Sequence, residues 1–120
     1  MKKKTLVIGA TTDTSKYANM AIRSLLRHGH EVEALGIREG NVENVKIETE
    51  CIDFQEIDTI TLYLNPQRQI DYYDYLLGLN PKRIIFNPGT ENSEFVNLAK
   101  AKNIATEYAC TLVLLNTAQY

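Results

Sequence analysis

Hydrophobic positions along this chain fall into short apolar clusters separated by amphipathic stretches, and the two alternate almost throughout. Residues 5–9 read as a buried strand. Residues 16–28 read as an amphipathic helix with Tyr17, Met20, Ala21, Ser24, Leu25 and His28 along one side, and Gly29 sits where a C-terminal cap belongs. Residues 30–37 form the second strand pattern, followed by a polar loop over 39–44 and a short extended piece over 45–47. Residues 52–56 suit a turn or a short helical connector. The β-branched run 59–64 is the third main strand. Asn65-Pro66 then opens a helix predicted over 66–77, as an N-cap residue before a proline should. Residues 83–86 make the fourth strand, Asn87-Pro88-Gly89 a turn, and residues 93–102 the third long helix. Residues 104–105 and 112–115 are short apolar runs that suit a last strand and an edge or tail.

Strands separated by helices of this length imply βαβ units with right-handed crossovers. The pattern predicts an α/β fold: a single, doubly wound, Rossmann-like three-layer domain spanning residues 1–120, with a mainly parallel sheet of about five strands. A chain of 120 residues leaves no room for a second core.

In such a sheet, ligands bind beyond the carboxyl ends of the strands. The segments to weigh are therefore Gly9-Ala10-Thr11-Thr12, Gly36-Ile37-Arg38, Leu64-Asn65-Pro66 with Arg68, and Asn87-Pro88-Gly89-Thr90. The first is the most telling. Small residues between a buried strand and a helix let the backbone approach a pyrophosphate, and the helix N-terminus favours its charge. The loop departs from G-x-G-x-x-G, with threonine at positions 11 and 14. No acidic residue ends the second strand to hold a ribose 2′-hydroxyl. Arg38 stands there instead, and a guanidinium suits a phosphate monoester. That disfavours NAD and leaves NADP, a 3′-phosphorylated nucleotide such as coenzyme A, or a plain solvated charge.

The pieces VIGATTDTSKYANMAIRSLLRHGHEV, the I-x-F-N-P-G-x-x-N-x-E turn over 84–94 and the late Cys110 together resemble the small stand-alone coenzyme A-binding proteins. Their Rossmann-like domain is related to that of the succinyl-CoA synthetase α subunit and the ADP-forming acyl-CoA synthetases. The resemblance covers almost the whole chain. It implies that Gly9, Ala10, Thr11 and Thr12 cradle the pyrophosphate of coenzyme A or an acyl-CoA. Lys16 would sit near phosphate, and Tyr17 would line the pocket. Ile37 and Arg38 would border the adenosine and its 3′-phosphate, Leu64, Asn65 and Pro66 would pack along the adenine or ribose, and Asn87, Pro88 and Gly89 would face the pantetheine arm. Where the family commonly has Asn-Pro after the second strand, this chain has Gly36-Ile37-Arg38. Where the family tends to have an F-R-R-like segment after the third, this chain has Leu64-Asn65-Pro66-Gln67-Arg68, so one basic group is missing or displaced to Arg68.

The residues offer no complete catalytic constellation. Cys110 has no base beside it in sequence, and the phosphorylated histidine of the synthetase relatives belongs to a domain with no match here. The expectation is a binding protein without catalysis. The alternatives are a small NADP-dependent or thioester-handling enzyme, and a remnant Rossmann domain acting through a protein partner. His28 and His30 flank a glycine and have no further ligands near them, so no metal site is expected.

Composition adds exclusions. A hydrophobic fraction of 44% and a charged fraction of 23% are ordinary for a globular domain. The net charge of −2 gives no field to recruit nucleic acid. Lys2-Lys3-Lys4 followed by apolar residues imitates a secretory signal, but the apolar part ends at Ala10, too soon for one. No stretch approaches a membrane span. The expected setting is cytoplasmic, with Cys51 and Cys110 as free thiols. Tyr72, Tyr73 and Tyr75 on one predicted helix cannot all face a single core stripe, which raises a homodimer interface as a secondary expectation.

Overall fold

The computed structural model describes residues 2–120. Among these, four-residue runs that are buried along their whole length build the centre of the sheet: β1 (Thr5–Ile8) and β5 (Thr59–Leu62). Strands β2 (Val32–Leu35), β3 (Gly40–Val42), β4 (Val45–Glu48), β6 (Arg83–Phe86) and β7 (Ala105–Tyr108) complete a seven-stranded sheet of order β3-β4-β2-β1-β5-β6-β7. Every neighbouring pair is parallel except the β3–β4 hairpin. The register pairs Ile8 with both Leu35 and Leu62, and Leu62 with Phe86. The carboxyl ends of four strands therefore finish level, and their loops open together. The chain leaves β1 to one side for β2 and crosses back to β5 on the other, so the crevice between β1 and β5 is the topological switch point.

Helices α1 (Tyr17–Arg27) and α5 (Thr111–Asn116) pack against each other on one face. The other face carries α2 (Pro66–Gln69), a 3₁₀ turn (Ile70–Tyr72), α3 (Tyr73–Gly78) and α4 (Ser93–Ala101). Alternation along the strands feeds two cores. Leu6, Ile8, Ile60, Leu62, Ile84 and Phe86 point toward α3 and α4, whereas Val7, Val32 and Ala34 point toward α1. Each fully buried side chain of this size stabilises the fold by about 1.5–3 kcal/mol relative to exposure.

The doubly wound parallel fold is as expected, but the sheet has seven strands rather than about five. The polar loop expected over 39–44 is instead β3 and the turn of its hairpin, with Glu43 at φ 55°. An edge hairpin needs few apolar anchors, here Val42 and Val45, and so leaves little hydrophobic signature. Residues 52–56 form no helix; they run in irregular conformation and bury Phe54. The apolar run 112–115 lies in α5 rather than in a strand or tail, and its partner run extends to a full strand, β7. The buried stripe of α1 is Ala18, Ala21, Ile22 and Leu25, so Tyr17 lies off the core and is 69% exposed.

The helix expected over 66–77 is broken at Ile70–Tyr72. That break resolves the tyrosine problem, because each ring takes a different direction. Tyr72 reaches the cleft described below. Tyr73 packs on Phe95 at 4.7 Å between ring centres, and Tyr75 donates its hydroxyl to the Ile52 carbonyl. Burial pushes the Tyr75 phenol up to about 12. Tyr73 and Tyr75 thus find partners inside the chain.

Candidate functional site

The level strand ends open into a cleft of about 770 Å³ bounded by the loops after β1, β2, β5 and β6. Backbone hydrogen bonds hold the first loop down. Gly9 and Ala10 both donate to the Leu35 carbonyl, at 2.9 and 3.0 Å, and Tyr63 donates to the Ile8 carbonyl at 2.9 Å. Gly9 has φ +92°, and a Cβ there would stand 3.0 Å from the Tyr63 carbonyl oxygen, so the position is restricted to glycine twice over. Asn19 is almost fully buried and donates its amide to the Thr11 carbonyl at 3.0 Å, while its oxygen accepts from Arg23 Nε at 2.8 Å. Nothing in the sequence marks Asn19 for this task, because an asparagine inside a helix is indistinguishable there from a solvated one.

The N-terminus of α1 faces this loop. Its N-cap, Lys16, makes no side-chain capping bond, in contrast to Asn65 at α2 and Asn92 at α4, which cap Arg68 N and Phe95 N. The first-turn amides of α1 are thus available to an anion. Just before them, Asp13 Oδ1 accepts from both the Ser15 amide and the Ser15 hydroxyl, and these bonds hold its carboxyl below the usual range.

Gly9, Ala10, Thr11, Thr12, Lys16, Tyr17, Ile37, Arg38, Leu64, Asn65, Pro88 and Gly89 all line the cleft. Lys16, Arg38 and Arg68 bring positive charge to it, and among the described residues none of the three is ion-paired. Tyr17 and Ile37 are about 70% exposed at its rim. Arg68, Tyr72 and Thr90 complete the walls. Arg68 enters because the first turn of α2 follows β5 directly, and Tyr72 enters because the helix breaks; no periodicity could have placed it there.

Two expected positions are not in the lining. Pro66 is the exposed first residue of α2. Asn87, expected to face a bound arm, is 2% exposed and turned into the protein. Its Nδ2 donates to Thr61 Oγ1 at 2.6 Å and the Leu62 carbonyl at 2.9 Å, and its Oδ1 accepts from the Thr111 amide at 2.9 Å. The side chain ties β5, β6 and the start of α5 together because buried backbone groups at strand ends need partners. Thr61 and Thr111 share a further bond at 2.8 Å. Beside them the Tyr63 hydroxyl is buried without a hydrogen-bond partner among the described residues, and burial pushes its phenol well above the usual range.

Cys110 is the half-buried N-cap of α5 and does not line the cleft. Cys51 is exposed on the far side of the sheet from α1, its thiol pushed up by partial burial. Both are free. No group of His, Cys, Asp and Glu that could hold a metal occurs among the described residues. No helix among them is long and apolar enough to cross a membrane.

A family model described as CoA binding domain matches residues 3–116. None of the curated proteins matches the chain. Among solved structures, an uncharacterized protein superposes with TM-score 0.98 at 43% identity, covering 100% of this chain and 99% of its own. A Thermus thermophilus protein, cell-free ID.343, gives 0.86 at 21% identity, with 99% and 91% covered. The dinucleotide-forming acetyl-coenzyme A synthetase 1 of Ca. Korarchaeum cryptofilum, solved with phosphate and ADP, gives 0.75 at 17% identity. The match covers 89% of this chain but 25% of that one. The last two likenesses show the fold alone.

Proposed function

This chain belongs to the CoA binding domain family, and on that premise we propose that it binds coenzyme A, free or acylated, in the cleft beyond β1, β2, β5 and β6, as a binding protein without catalysis of its own. The observation that carries the reading is the first turn of α1. Its uncapped amides open onto a cleft that also presents Lys16, Arg38 and Arg68. In this reading the pyrophosphate lies on Gly9–Thr12 and those amides. Arg38 meets the 3′-phosphate, with Arg68 as the second cation. The adenine packs near Leu64 and Asn65, and the pantetheine arm passes Pro88 and Gly89. A cleft of about 770 Å³ falls within the range of small-molecule sites, roughly 300–1,000 Å³.

Arg38 at the end of β2 would equally suit the 2′-phosphate of NADP, which makes an NADP-dependent protein the second reading. Competition separates them: 3′,5′-ADP displaces a bound coenzyme A, and 2′,5′-ADP displaces a bound NADPH. Displacement by 2′,5′-ADP alone would overturn the coenzyme A reading. A thioester-handling enzyme finds no support in Cys110, which lies off the cleft with no base beside it. A cytoplasmic setting suits a coenzyme A ligand and belongs to the same reading.

A further inference from the structure

We propose that Gln69 is a positioning residue. It sets the spacing between the β5 and β6 loops and so the fit of the cleft to the pantetheine arm of its ligand. The proposal rests on the coenzyme A reading above.

Gln69 is fully buried, with 0% exposure, and is itself absent from the cleft lining. Its Nε2 donates to the Leu64 carbonyl and to the Thr90 carbonyl, both at 2.8 Å. Its Oε1 accepts from Asn92 Nδ2 at 3.0 Å. Leu64 and Thr90 lie on two different walls of the cleft. Gln69 is the direct hydrogen-bonded link between residues 63–65 and 88–92 among the described residues. The link continues outward. Asn92 also donates to the Tyr73 hydroxyl at 2.8 Å and caps α4 through its Oδ1, and Tyr73 donates to Glu94 at 3.0 Å.

The chemistry of the residue is specific to this task. Two carbonyls need two donors, and one neighbouring amide needs an acceptor. A primary amide supplies both donors and the acceptor from one side chain. A leucine or methionine would fill the volume but orphan two buried carbonyls, and a glutamate would turn acceptors toward acceptors. A residue retained only for packing would not need this pattern. The two carbonyls it fixes belong to loop residues that can otherwise move apart, which would shift the wall that the arm passes.

The ligand distinguishes this from general damage. 3′,5′-ADP lacks the pantetheine arm, whereas the arm of coenzyme A passes Pro88 and Gly89, on the loop that Gln69 holds through the Thr90 carbonyl. The Leu64 side, where the adenine packs, stays anchored by the Tyr63 amide on the Ile8 carbonyl. In Gln69→Met, affinity for coenzyme A should fall about tenfold, equivalent to one lost hydrogen bond, with the 3′,5′-ADP affinity almost unchanged. In the ligand-free variant the Thr90 and Phe95 amides should exchange faster with deuterium. Gln69→Glu provides a second route should Gln69→Met fold poorly. Measured against wild type at each pH, its coenzyme A binding should recover on acidification, because the protonated acid regains one donor. Equal losses for both ligands, or no loss, would overturn the fit to the arm, and unchanged Thr90 exchange would overturn the strut itself. Wild-type protein that binds no coenzyme A would overturn the reading on which the fit rests, while the exchange experiment still judges the strut.

Discussion

The Ala10 carbonyl oxygen occupies the space where a Cβ of Gly36 would stand. The end of β2 and the loop after β1 are thereby locked at closest approach, reinforced by the Gly9 and Ala10 amides bound to Leu35 O. Because the obstacle is backbone rather than a flexible side chain, no rotamer change relieves it.

Gly36→Ala should therefore displace the first loop. We expect a stability loss of about 1–3 kcal/mol, typical of overpacking, together with weakened coenzyme A binding. Urea denaturation and titration on the same preparation check both. A variant as stable as wild type would mean that the loop yields without cost.

Arg38→Ala and Arg68→Ala act on the ligand alone. Both side chains are exposed and, among the described residues, unpaired, so stability should stay within about 0.5 kcal/mol of wild type. Removing a charge-assisted hydrogen bond to phosphate should weaken coenzyme A binding by about 1.5–3 kcal/mol in each variant. If Arg38 meets the 3′-phosphate, its replacement should cost less for 3′-dephospho-coenzyme A than for coenzyme A. Equal losses would place Arg38 elsewhere on the ligand.

Asn87→Ala should behave in the opposite way. It leaves Leu62 O, Thr61 Oγ1 and the Thr111 amide short of a buried partner. Destabilisation of about 1–3 kcal/mol is expected from the unsatisfied groups, read from a denaturation midpoint at unchanged m-value. Normal stability with lost binding would restore Asn87 to the cleft.

The contrast between Arg38 and Asn87 shows how far the sequence reaches. β1, α1 and β5 are legible because buried parallel strands and an amphipathic helix leave strong periodic marks. The loops after the strands are legible by placement, which brings most of the expected residues to one cleft. Asn87 stands at the expected place with a different task, since placement does not say which way a side chain turns. Gln69 and Asn19 carry no signal, because only burial distinguishes a structural amide from a solvated one. The three-residue β3 and the six-residue α5 are too short for either period to emerge.

At the opposite end of the sheet, His30 accepts the Lys3 amide on Nδ1 at 2.9 Å and lies 4.9 Å from the Tyr120 ring. Burial, then Lys2, His28 and Lys3, hold its pKa below 6.5. The folded value lies below the unfolded one, so the neutral ring's contribution is fully present above about pH 6.5 and is lost as pH falls through the folded value. Wild type should lose stability as pH falls below about 6.5 more steeply than His30→Gln. Parallel pH profiles would show that His30 titrates alike in the folded and unfolded chains.

Whether the cleft holds coenzyme A is decided by calorimetric titration of the wild-type protein with coenzyme A, alongside NADPH, 3′,5′-ADP and 2′,5′-ADP. Saturable micromolar binding of coenzyme A and 3′,5′-ADP is expected at one site per chain, weaker in Arg38→Ala. Absence of coenzyme A binding, or binding confined to NADPH and 2′,5′-ADP, would contradict it.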